Sequence, residues 1–460
     1  MKKLFGTDGM RGEAGRFPLD PQTMFITGSS LARRLAAKNA RPPRVVIGRD
    51  TRESGAWIEK AFVEGARAAG ATCESAGVIT TPGVAFLTRA LPADAGVVIS
   101  ASHNPYHDNG IKIFAPDGRK LDDATERLIE ADIYDASSHE EAETTSDNSI
   151  SGAREVTDDE RASELRARYL DYLAQEAAES LRLEGLHLVL DCANGAASAL
   201  APALFERLGA RVEAINDAPD GRNINLDCGS LHMEELQRRV VERRADLGVA
   251  FDGDADRALF VDARGQLVDG DATLWVMAQM LDARGELADR SVVSTVMSNV
   301  GLEVALRTRG IRLLRTDVGD KYVLEELLRT GAPVGGEQSG HIIFPRASLA
   351  GDGMLTTILL LGALSESGRA LHELTEGFVR YPQVLINVRV REKRPFEEVP
   401  AIARAARETE SALGDEGRLL LRYSGTEPLA RVMIEGQQQD EIDRLAHTLA
   451  AVIREHLGAS

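Results

Sequence analysis

A short loop near residue 100 places a hydroxyl beside two basic groups. The apolar segment A-G-V-V-I (95–99) predicts a buried strand, which ends in a loop carrying Ser102 and His103 and is followed by Lys112. Reactive side chains are often placed in loops at the ends of such strands, and a serine beside basic groups suits covalent chemistry. A serine-rich turn ahead of Pro105 would explain the same residues without any chemistry. The loop alone leaves both interpretations open.

A second loop carries acidic residues at alternate positions. It follows the β-prone segment 247–251 and contains Asp252, Asp254 and Asp256, with Arg257 next. Alternate residues of an extended chain point the same way, so these carboxylates would converge. Because their charges repel unless a cation lies among them, a divalent ion is predicted, and coordination positions remain for water and a phosphate oxygen, as Mg²⁺ requires. An EF-hand is excluded, since arginine replaces its glycine, and a solvated acidic turn is the alternative.

Two further loops combine glycines with polar side chains. Near the N-terminus, G-T-D-G-M-R-G places Arg11 among glycines whose backbone amides could approach an anion, although it does not match the dinucleotide fingerprint G-x-G-x-x-G. In G-G-E-Q-S-G-H, Glu337 and Ser339 would project from one side of an extended loop, suited to adjacent sugar hydroxyls. His341 is a candidate acid or base. A flexible turn and a hairpin with a structural histidine, respectively, are the alternatives.

A loop in the C-terminal region joins small hydroxyl residues, a glycine and arginines. Such donors, together with backbone amides, are typical of a phosphate-binding loop. The residues concerned are Arg422, Ser424, Gly425, Thr426 and Arg431. The Walker pattern G-x-x-x-x-G-K-[ST] does not occur in the glycine-rich loops. A surface hairpin with incidental arginines is the alternative.

The elements that would position these loops repeat along the chain. Similar strand, loop, helix and strand units are predicted at 44–72, 186–212 and 291–314. The polar segment 137–159 ends the first unit, and the pattern changes beyond residue 377. The predicted fold class is therefore α/β, with three related α/β domains whose sheets are mixed and mostly parallel, and a C-terminal α+β domain. The predicted domains are 1–155, 156–256, 257–372 and 373–460.

Composition limits the partners and the location. A formal net charge of −18 over 460 residues disfavours a nucleic-acid or anionic-membrane partner, because the average field repels polyanions. The N-terminus lacks the apolar region of a signal peptide, and the most continuous apolar stretch, 354–364, is too short to span a bilayer. The cysteines Cys73, Cys192 and Cys228 show no C-x-x-C spacing. A cytoplasmic protein that captures a small anion through local arginines and lysines is predicted.

The loops taken together resemble a known family. G-T-D-G-M-R-G, I-S-A-S-H-N-P, D-G-D-A-D-R, G-E-Q-S-G-H and R-Y-S-G-T-E-P, in this order, resemble the signature motifs of the alpha-D-phosphohexomutases. The resemblance spans nearly the whole chain and implies four domains around a central cleft. V-G-D-K-Y-V and R-V-M-I-E-G are most similar to bacterial members that act on glucosamine phosphates, which adds Gly319, Asp320 and Lys321 to the predicted substrate-binding residues. Ala255 and Lys321 are small departures from the family pattern.

The resemblance implies covalent phosphoryl transfer. Ser102 would carry a phosphate and give it to a sugar monophosphate, with a sugar 1,6-bisphosphate as intermediate and activator. One Mg²⁺ would be held by a phosphoserine oxygen and the three carboxylates of the acidic loop. Arg11 and Arg257 would help to neutralise the phosphoryl charge before a sugar hydroxyl attacks.

The remaining roles implied by the resemblance concern protons and binding. The general acid and base are expected among His103, Lys112 and His341. Glu337 and Ser339 would hold the sugar ring in either orientation, while the C-terminal loop binds whichever phosphate is not reacting. The predicted partner is therefore a small sugar phosphate.

Other functions are weighed against this prediction. Phosphomannomutase or phosphoglucomutase specificity within the same family is the nearest alternative, because no residue that reads the C2 amine can be derived. A phosphatase or serine hydrolase built on Ser102 would lack the G-x-S-x-G motif. A non-catalytic sugar-phosphate binder is disfavoured by the full set of serine, aspartates and arginines. The oligomeric state is left open, with a homodimer included.

Overall fold

The computed structural model describes residues 3–39, 41–140, 160–179, 181–424 and 427–459. These residues form four β-sheets, each covered by helices. The sheets follow one another along the chain and define domains I to IV.

Domain I begins at the N-terminus and contains the predicted nucleophile. Its sheet has the order β1-β2-β6-β5-β3-β4, in which β4, β3 and β5 are parallel and the other neighbours are antiparallel. The elements are β1 Phe5–Gly6, β2 Gly9–Glu13, α1 Pro21–Asn39, β3 Arg44–Arg49, α2 Gly55–Ala68, β4 Thr72–Val78, α3 Thr81–Ala90, β5 Ala95–Ile99, β6 Asp108–Phe114 and α4 Asp123–Glu140.

Domain II carries the acidic loop. Its sheet has the order β11-β10-β9-β7-β8, with β8, β7 and β9 parallel. The elements are α5 Glu160–Asp171, a π-helix at Tyr172–Ala177, β7 His187–Asp191, α6 Leu200–Arg207, β8 Arg211–Ile215, α7 Glu234–Arg243, β9 Leu247–Phe251, β10 Ala258–Asp262 and β11 Leu267–Val268.

Domain III supplies the predicted sugar-binding loop. Its sheet has the order β13-β12-β14-β15, with β13, β12 and β14 parallel. The elements are α8 Gly270–Ala283, β12 Ser291–Thr295, α9 Val300–Thr308, β13 Arg312–Thr316, α10 Asp320–Thr330, β14 Gly335–Gly336, β15 Ile342–Ile343, α11 Gly353–Ser367 and α12 Leu371–Leu374. Side-chain caps begin several helices here: Asp269 accepts a hydrogen bond from Ala272 N at the start of α8, and Asp352 accepts one from Leu355 N at the start of α11.

Domain IV is a smaller antiparallel unit. Its sheet has the order β16-β18-β17, and helices pack against it. The elements are β16 Gln383–Arg389, α13 Pro400–Leu413, β17 Arg418–Tyr423, β18 Leu429–Glu435 and α14 Gln439–Leu457.

Domains I to III share one topology. The strand order β4-β3-β5-β6 of domain I recurs as β8-β7-β9-β10 in domain II and as β13-β12-β14-β15 in domain III, each time with a final antiparallel strand. The repeated units predicted at 44–72, 186–212 and 291–314 are the first parallel strand, its helix and its neighbouring strand in each domain. The internal repeat is therefore confirmed.

Packing separates domain IV from the other three. One continuous cluster of buried apolar side chains contains residues of domains I, II and III, among them Val84, Leu190 and Leu355. Domain IV has its own cluster, with Val432 and Leu449 at its centre. Within the described part of the chain, no helix is both long and apolar enough to cross a membrane.

One predicted domain boundary separates two paired strands, and another falls inside a helix. The boundary after residue 256 lies between β9 and β10, which are paired strands of one sheet, because the acidic loop connects these strands instead of ending the domain. The boundary after residue 372 lies within α12. The boundary after residue 155 is outside the described residues.

Candidate active site

Loops at equivalent positions of domains I to III meet at one cavity. The Ser102 loop connects β5 to β6, the acidic loop connects β9 to β10, and the Glu337 loop connects β14 to β15. Since each connects the third parallel strand to the antiparallel strand, the repeated topology delivers all three to the same place. The cavity has a volume of about 460 Å³, and its wall includes Thr7, Asp8, Arg11, His103, Asp256, Arg257, Gly319, Asp320, Glu337 and His341.

Ser102 lies at the seam between domains I and II. Its side chain is buried, and its Oγ donates a hydrogen bond to Asp252 Oδ2 at 2.5 Å and lies 3.4 Å from His103 Nδ1. Its φ of +53° is in the left-handed region, which residues other than glycine rarely adopt. Such backbone geometry persists only where neighbouring groups hold it, and it is often found at functional sites.

The carboxylates of the acidic loop converge as predicted. Asp252, Asp254 and Asp256 are buried, and one oxygen from each lies within 4.8 Å of the others. Burial and the charges of Asp256 and Asp254 raise the pKa of Asp252 well above its usual value. Asp254 Oδ1 is buried and accepts no hydrogen bond from the described residues. Clustered carboxylate oxygens with an unpaired acceptor fit a divalent cation.

Lys112 contacts this acidic loop directly. Its Nζ is buried, 2.9 Å from Asp254 Oδ2 and 3.3 Å from Asp256 Oδ2, and 3.2 Å from Asp8 Oδ2. Burial opposes its charge, but the three aspartates raise the pKa of Lys112 well above its usual value. Lys112 is therefore expected to be protonated at neutral pH.

Lys112 is also part of a closed circuit of alternating charge that joins domains I, II and III. Successive members are paired at distances of 2.6 to 3.9 Å. In order, this charge ring consists of Lys112, Asp8, Lys120, Asp320, His341 and Asp256. The charge ring therefore links Lys112 and His341, two of the predicted acid or base groups, to side chains from all three domains.

The two histidines at the cavity differ in charge. Burial, followed by the charges of Arg257 and Arg11, lowers the pKa of His103 to about 4. For His341, burial opposes protonation, but Asp256 and then Asp320 raise the pKa to about 9. At neutral pH, His103 can therefore accept a proton and His341 can donate one.

The two arginines at the cavity are held near the Ser102 loop. Arg257 Nη1 lies 3.1 Å from His103 Nδ1, and Arg11 pairs with Asp8 and lies 3.5 Å from the carbonyl oxygen of Ala101. Both guanidinium groups are placed where they can neutralise an anion beside Ser102.

The Glu337 loop is braced by the loop that begins α10. Glu337 accepts hydrogen bonds from Gly319 N at 3.1 Å and from Ser339 Oγ at 3.3 Å. Lys321, however, turns away from this cavity and pairs with Asp123 at 2.7 Å, beside a separate cavity of about 300 Å³ between domains I and III.

The predicted phosphate-binding loop lies in domain IV, apart from the cavity. Arg422 and Arg431 are opposite each other on β17 and β18, and Arg431 Nη2 lies 3.5 Å from Ser424 Oγ. Gly425 and Thr426 lie outside the described residues. Among the residues that the structure does describe, the cavity wall contains none from domain IV.

Comparison with known proteins identifies the family. The chain matches, domain by domain, the phosphoglucomutase/phosphomannomutase family: alpha/beta/alpha domain I at residues 2–140, domain II at 167–265, domain III at 269–381 and the C-terminal domain at 385–452. It is 50% identical over 457 residues to the phosphoglucosamine mutase of Solibacter usitatus, covering 99% of each chain, and 49% identical to that of Deinococcus deserti, covering 98% of each. The chain belongs to the phosphoglucosamine mutase family.

Solved structures of other phosphohexomutases share the fold. A phosphoglucomutase/phosphomannomutase family protein from Burkholderia thailandensis superposes with a TM-score of 0.78 at 26% identity, over 98% of this chain and 97% of that one. The Aspergillus fumigatus N-acetylphosphoglucosamine mutase, solved with GlcNAc-6P and magnesium, gives a TM-score of 0.64 at 20% identity, over 98% and 95%. The predicted α/β fold class with four domains is confirmed.

This phosphoglucosamine mutase family member also has site residues that the sequence analysis did not single out. Thr81 Oγ1 donates a hydrogen bond to Asp254 Oδ2 at 2.5 Å, and Asp8 and Lys120 belong to the charge ring. Asp8 lies inside the quoted motif G-T-D-G-M-R-G, so its position was a usable signal. Thr81 and Lys120 lie in ordinary helix-start and turn sequences, and nothing local marks them.

Proposed function

We propose that the protein is a phosphoglucosamine mutase, which interconverts glucosamine 6-phosphate and glucosamine 1-phosphate through a phosphoserine at residue 102 and a glucosamine 1,6-bisphosphate intermediate. Its product would serve UDP-N-acetylglucosamine synthesis. The observation that carries the mechanism is the placement of Ser102 Oγ, 2.5 Å from Asp252, beside a cavity whose wall includes Arg11 and Arg257. Relatives of about 50% identity over nearly the full chain carry this name.

Phosphoryl transfer from Ser102 requires proton transfers at both ends. As the bond between phosphorus and Ser102 Oγ breaks, the new bond forms to a sugar hydroxyl, which loses its proton. Neutral His103 is suited to accept that proton, and protonated Lys112 or His341 to supply one to Ser102 Oγ. Arg11 and Arg257 stabilise the charge on the transferring group.

The acidic loop is the proposed magnesium site. Asp252, Asp254 and Asp256 would hold the ion together with an oxygen of phosphorylated Ser102, whose Oγ donates a hydrogen bond to Asp252. When bound, Mg²⁺ neutralises phosphoryl charge in this buried place. Glucosamine 1,6-bisphosphate is the proposed activator, because it can return a phosphoryl group to Ser102.

The rest of the proposed site binds the sugar phosphate. Glu337 and Ser339 would hold ring hydroxyls, with Gly319, Asp320 and Lys321 beside them. The phosphate that is not reacting would be bound by the domain IV loop, through Arg422, Ser424, Gly425, Thr426 and Arg431. Because the described part of this loop is outside the cavity wall, the proposal requires domain IV to approach when substrate binds.

Replacement of Ser102 by alanine tests the covalent route. We expect Ser102→Ala to abolish turnover of glucosamine 6-phosphate with Mg²⁺ after priming with a bisphosphate, while its thermal unfolding matches the wild type. An undiminished rate would exclude Ser102 as the phosphoryl carrier. Comparing kcat/KM for the phosphates of glucosamine, glucose and mannose tests specificity, and a preference for glucose or mannose would favour the alternative, phosphoglucomutase or phosphomannomutase.

A further inference from the structure

Arg52 is a fully buried cation with an unusual set of partners. It follows β3, is 1% exposed, and its Nε donates to Asp50 Oδ2 at 2.9 Å. Its other donors bind backbone carbonyl oxygens of the loop that carries Ser102, at 2.8 to 3.0 Å for three of them. The carbonyls belong to Ser102, Asn104, Pro105 and Asp108. One guanidinium group therefore binds four carbonyls between Ser102 and Asp108.

Asp50 is linked through Ser100 to the backbone N–H of Ser102. Its Oδ2 accepts a hydrogen bond from Ser100 Oγ at 2.7 Å, and Ser100 Oγ in turn accepts one from Ser102 N at 2.9 Å. Ser100 thus holds the N–H of Ser102 and Arg52 holds its C=O, and both side chains are hydrogen-bonded to the Asp50 carboxylate. These constraints account for the left-handed φ of Ser102, which an unrestrained serine would leave.

Domain II closes around the same carbonyl. Asn225 Nδ2 donates to Ser102 O at 2.9 Å and to Asn104 O at 3.1 Å. Gly253 packs so closely that an added Cβ would lie 2.6 Å from Ser102 O. The carbonyl therefore has little freedom to rotate, and rotation of this peptide would carry Ser102 Oγ away from Asp252.

We propose that Asp50, Arg52 and Ser100, together called the serine clamp, are positioning residues that set the backbone of Ser102 for phosphoryl transfer. The inference rests on the proposed function of Ser102. Phosphorylation adds a charge of about −1.5 to −2 at Ser102, and a relaxed loop would let that group shift toward other donors. A displacement of about 1 Å at a reacting centre costs roughly 10²-fold in rate. The serine clamp prevents this displacement without touching substrate.

Arg52→Lys tests the serine clamp. Lysine keeps a cation beside Asp50, but a single ammonium cannot reach the spread of carbonyls. We expect kcat to fall about 10- to 100-fold while KM changes less than about threefold, because ground-state binding of the sugar phosphate is untouched. Intact-mass measurement of Ser102 phosphorylation after bisphosphate priming separates slow transfer from an unprimed enzyme.

Arg49→Lys is the matched control. Arg49 lies at the end of the same strand and pairs with Glu59 at 2.9 Å, away from the Ser102 loop. It should lose less stability than Arg52→Lys, because only one ion pair is altered, and it should keep the wild-type kcat. If Arg52→Lys lowers kcat no more than Arg49→Lys, the positioning role is overturned.

Ser100→Ala is a second test of the serine clamp, which can be used if Arg52→Lys does not fold. It removes only the hydroxyl that joins Asp50 to Ser102 N, and it should lower kcat about fivefold or more with KM unchanged, whereas a kcat within about twofold of wild type overturns the proposal. The two proposals fail in different ways. Turnover by Ser102→Ala would reject the proposed function, while an inactive Ser102→Ala beside fully active clamp variants would reject the serine clamp alone.

Discussion

At the scale of single residues, the contact between Gly253 and Ser102 leaves no room for a side chain. A Cβ on residue 253 would lie 2.6 Å from Ser102 O and 2.9 Å from Asn225 Nδ2. We expect Gly253→Ala to displace the Ser102 loop, with a loss of roughly 10²-fold in kcat and of about 1–3 kcal/mol in stability. Steady-state kinetics and thermal unfolding measure both.

Gly362→Ala is the control for this substitution. Gly362 lies in α11 with no neighbouring atom near the position of an added Cβ. Alanine is favoured over glycine in a helix, so we expect unchanged kcat and a gain of about 0.5–1 kcal/mol. Equal kcat in the two variants would show that the close approach of Gly253 is unimportant for the reaction.

The residues that could be predicted from sequence are those whose signal is local. The acidic loop was predicted because alternate spacing alone makes Asp252, Asp254 and Asp256 converge. The role of Arg52 could not be predicted, although it lies in the predicted unit 44–72, since its partners are about 50 residues away in sequence. Nothing in a local pattern states which carbonyls a buried arginine will meet.

At the scale of elements, the repeated topology explains why one cavity receives loops from three domains. In each domain the loop in question connects the third parallel strand to the antiparallel strand. The repeated first units can be predicted from sequence, because strand, helix and strand follow each other within about 30 residues. The equivalent positions of the three loops that line the cavity could not be predicted, since β14 and β15 are only two residues long and carry little strand signal.

A buried carboxyl at the start of α8 gives stability a pH dependence. Asp271 accepts a hydrogen bond from Asn299 N at 2.8 Å, and burial and the charge of Asp269 raise its pKa from 3.8 to about 7. Between these values the folded state binds one more proton than the unfolded state, so stability falls as pH rises from about 4 to about 7.

Asp271→Asn should remove this pH dependence. We expect the free energy of unfolding of the variant, relative to wild type, to increase from pH 4 to pH 7 by on the order of 3–4 kcal/mol and to level off above pH 7. Calorimetry across this range measures the difference. A constant offset between the two proteins at every pH would contradict the assignment.

At the scale of the whole molecule, Lys120 joins domain I to domain III. Its Nζ lies 2.6 Å from Asp8 Oδ1 and 2.7 Å from Asp320. We expect Lys120→Met to leave both carboxylates without this partner, costing roughly 1–3 kcal/mol, and to lower kcat/KM about tenfold as the charge ring opens. Lys120→Arg should restore part of both.

A second pair across the same interface is the comparison for stability. Lys321 and Asp123 also join domains III and I, but both side chains are substantially exposed. Exposed pairs contribute less than about 1 kcal/mol, so Lys321→Met should shift the unfolding midpoint much less than Lys120→Met. Equal shifts would mean that the charge ring adds no stability beyond an ordinary surface pair.

The arrangement of domains was predicted only through family resemblance. Lys120 is 112 residues from Asp8 and 200 residues from Asp320, so no sequence pattern relates them. Domain IV contacts domain III through buried Glu435, which accepts hydrogen bonds from Asn299 Nδ2 and Val300 N, and through Arg418, which donates one to Ser298 O. Contacts of this kind form when folded domains pack against each other, so no local sequence pattern indicates them.

The seam at Ser102 also has a consequence for the order in which the protein is made. Asn225 follows Ser102 by 123 residues and Asp252 follows it by 150. On the ribosome, the serine loop therefore emerges well before the amide and the carboxylate that complete its surroundings. A nascent domain I therefore contains Ser102 before Asn225 and Asp252, its partners from domain II, have been synthesised.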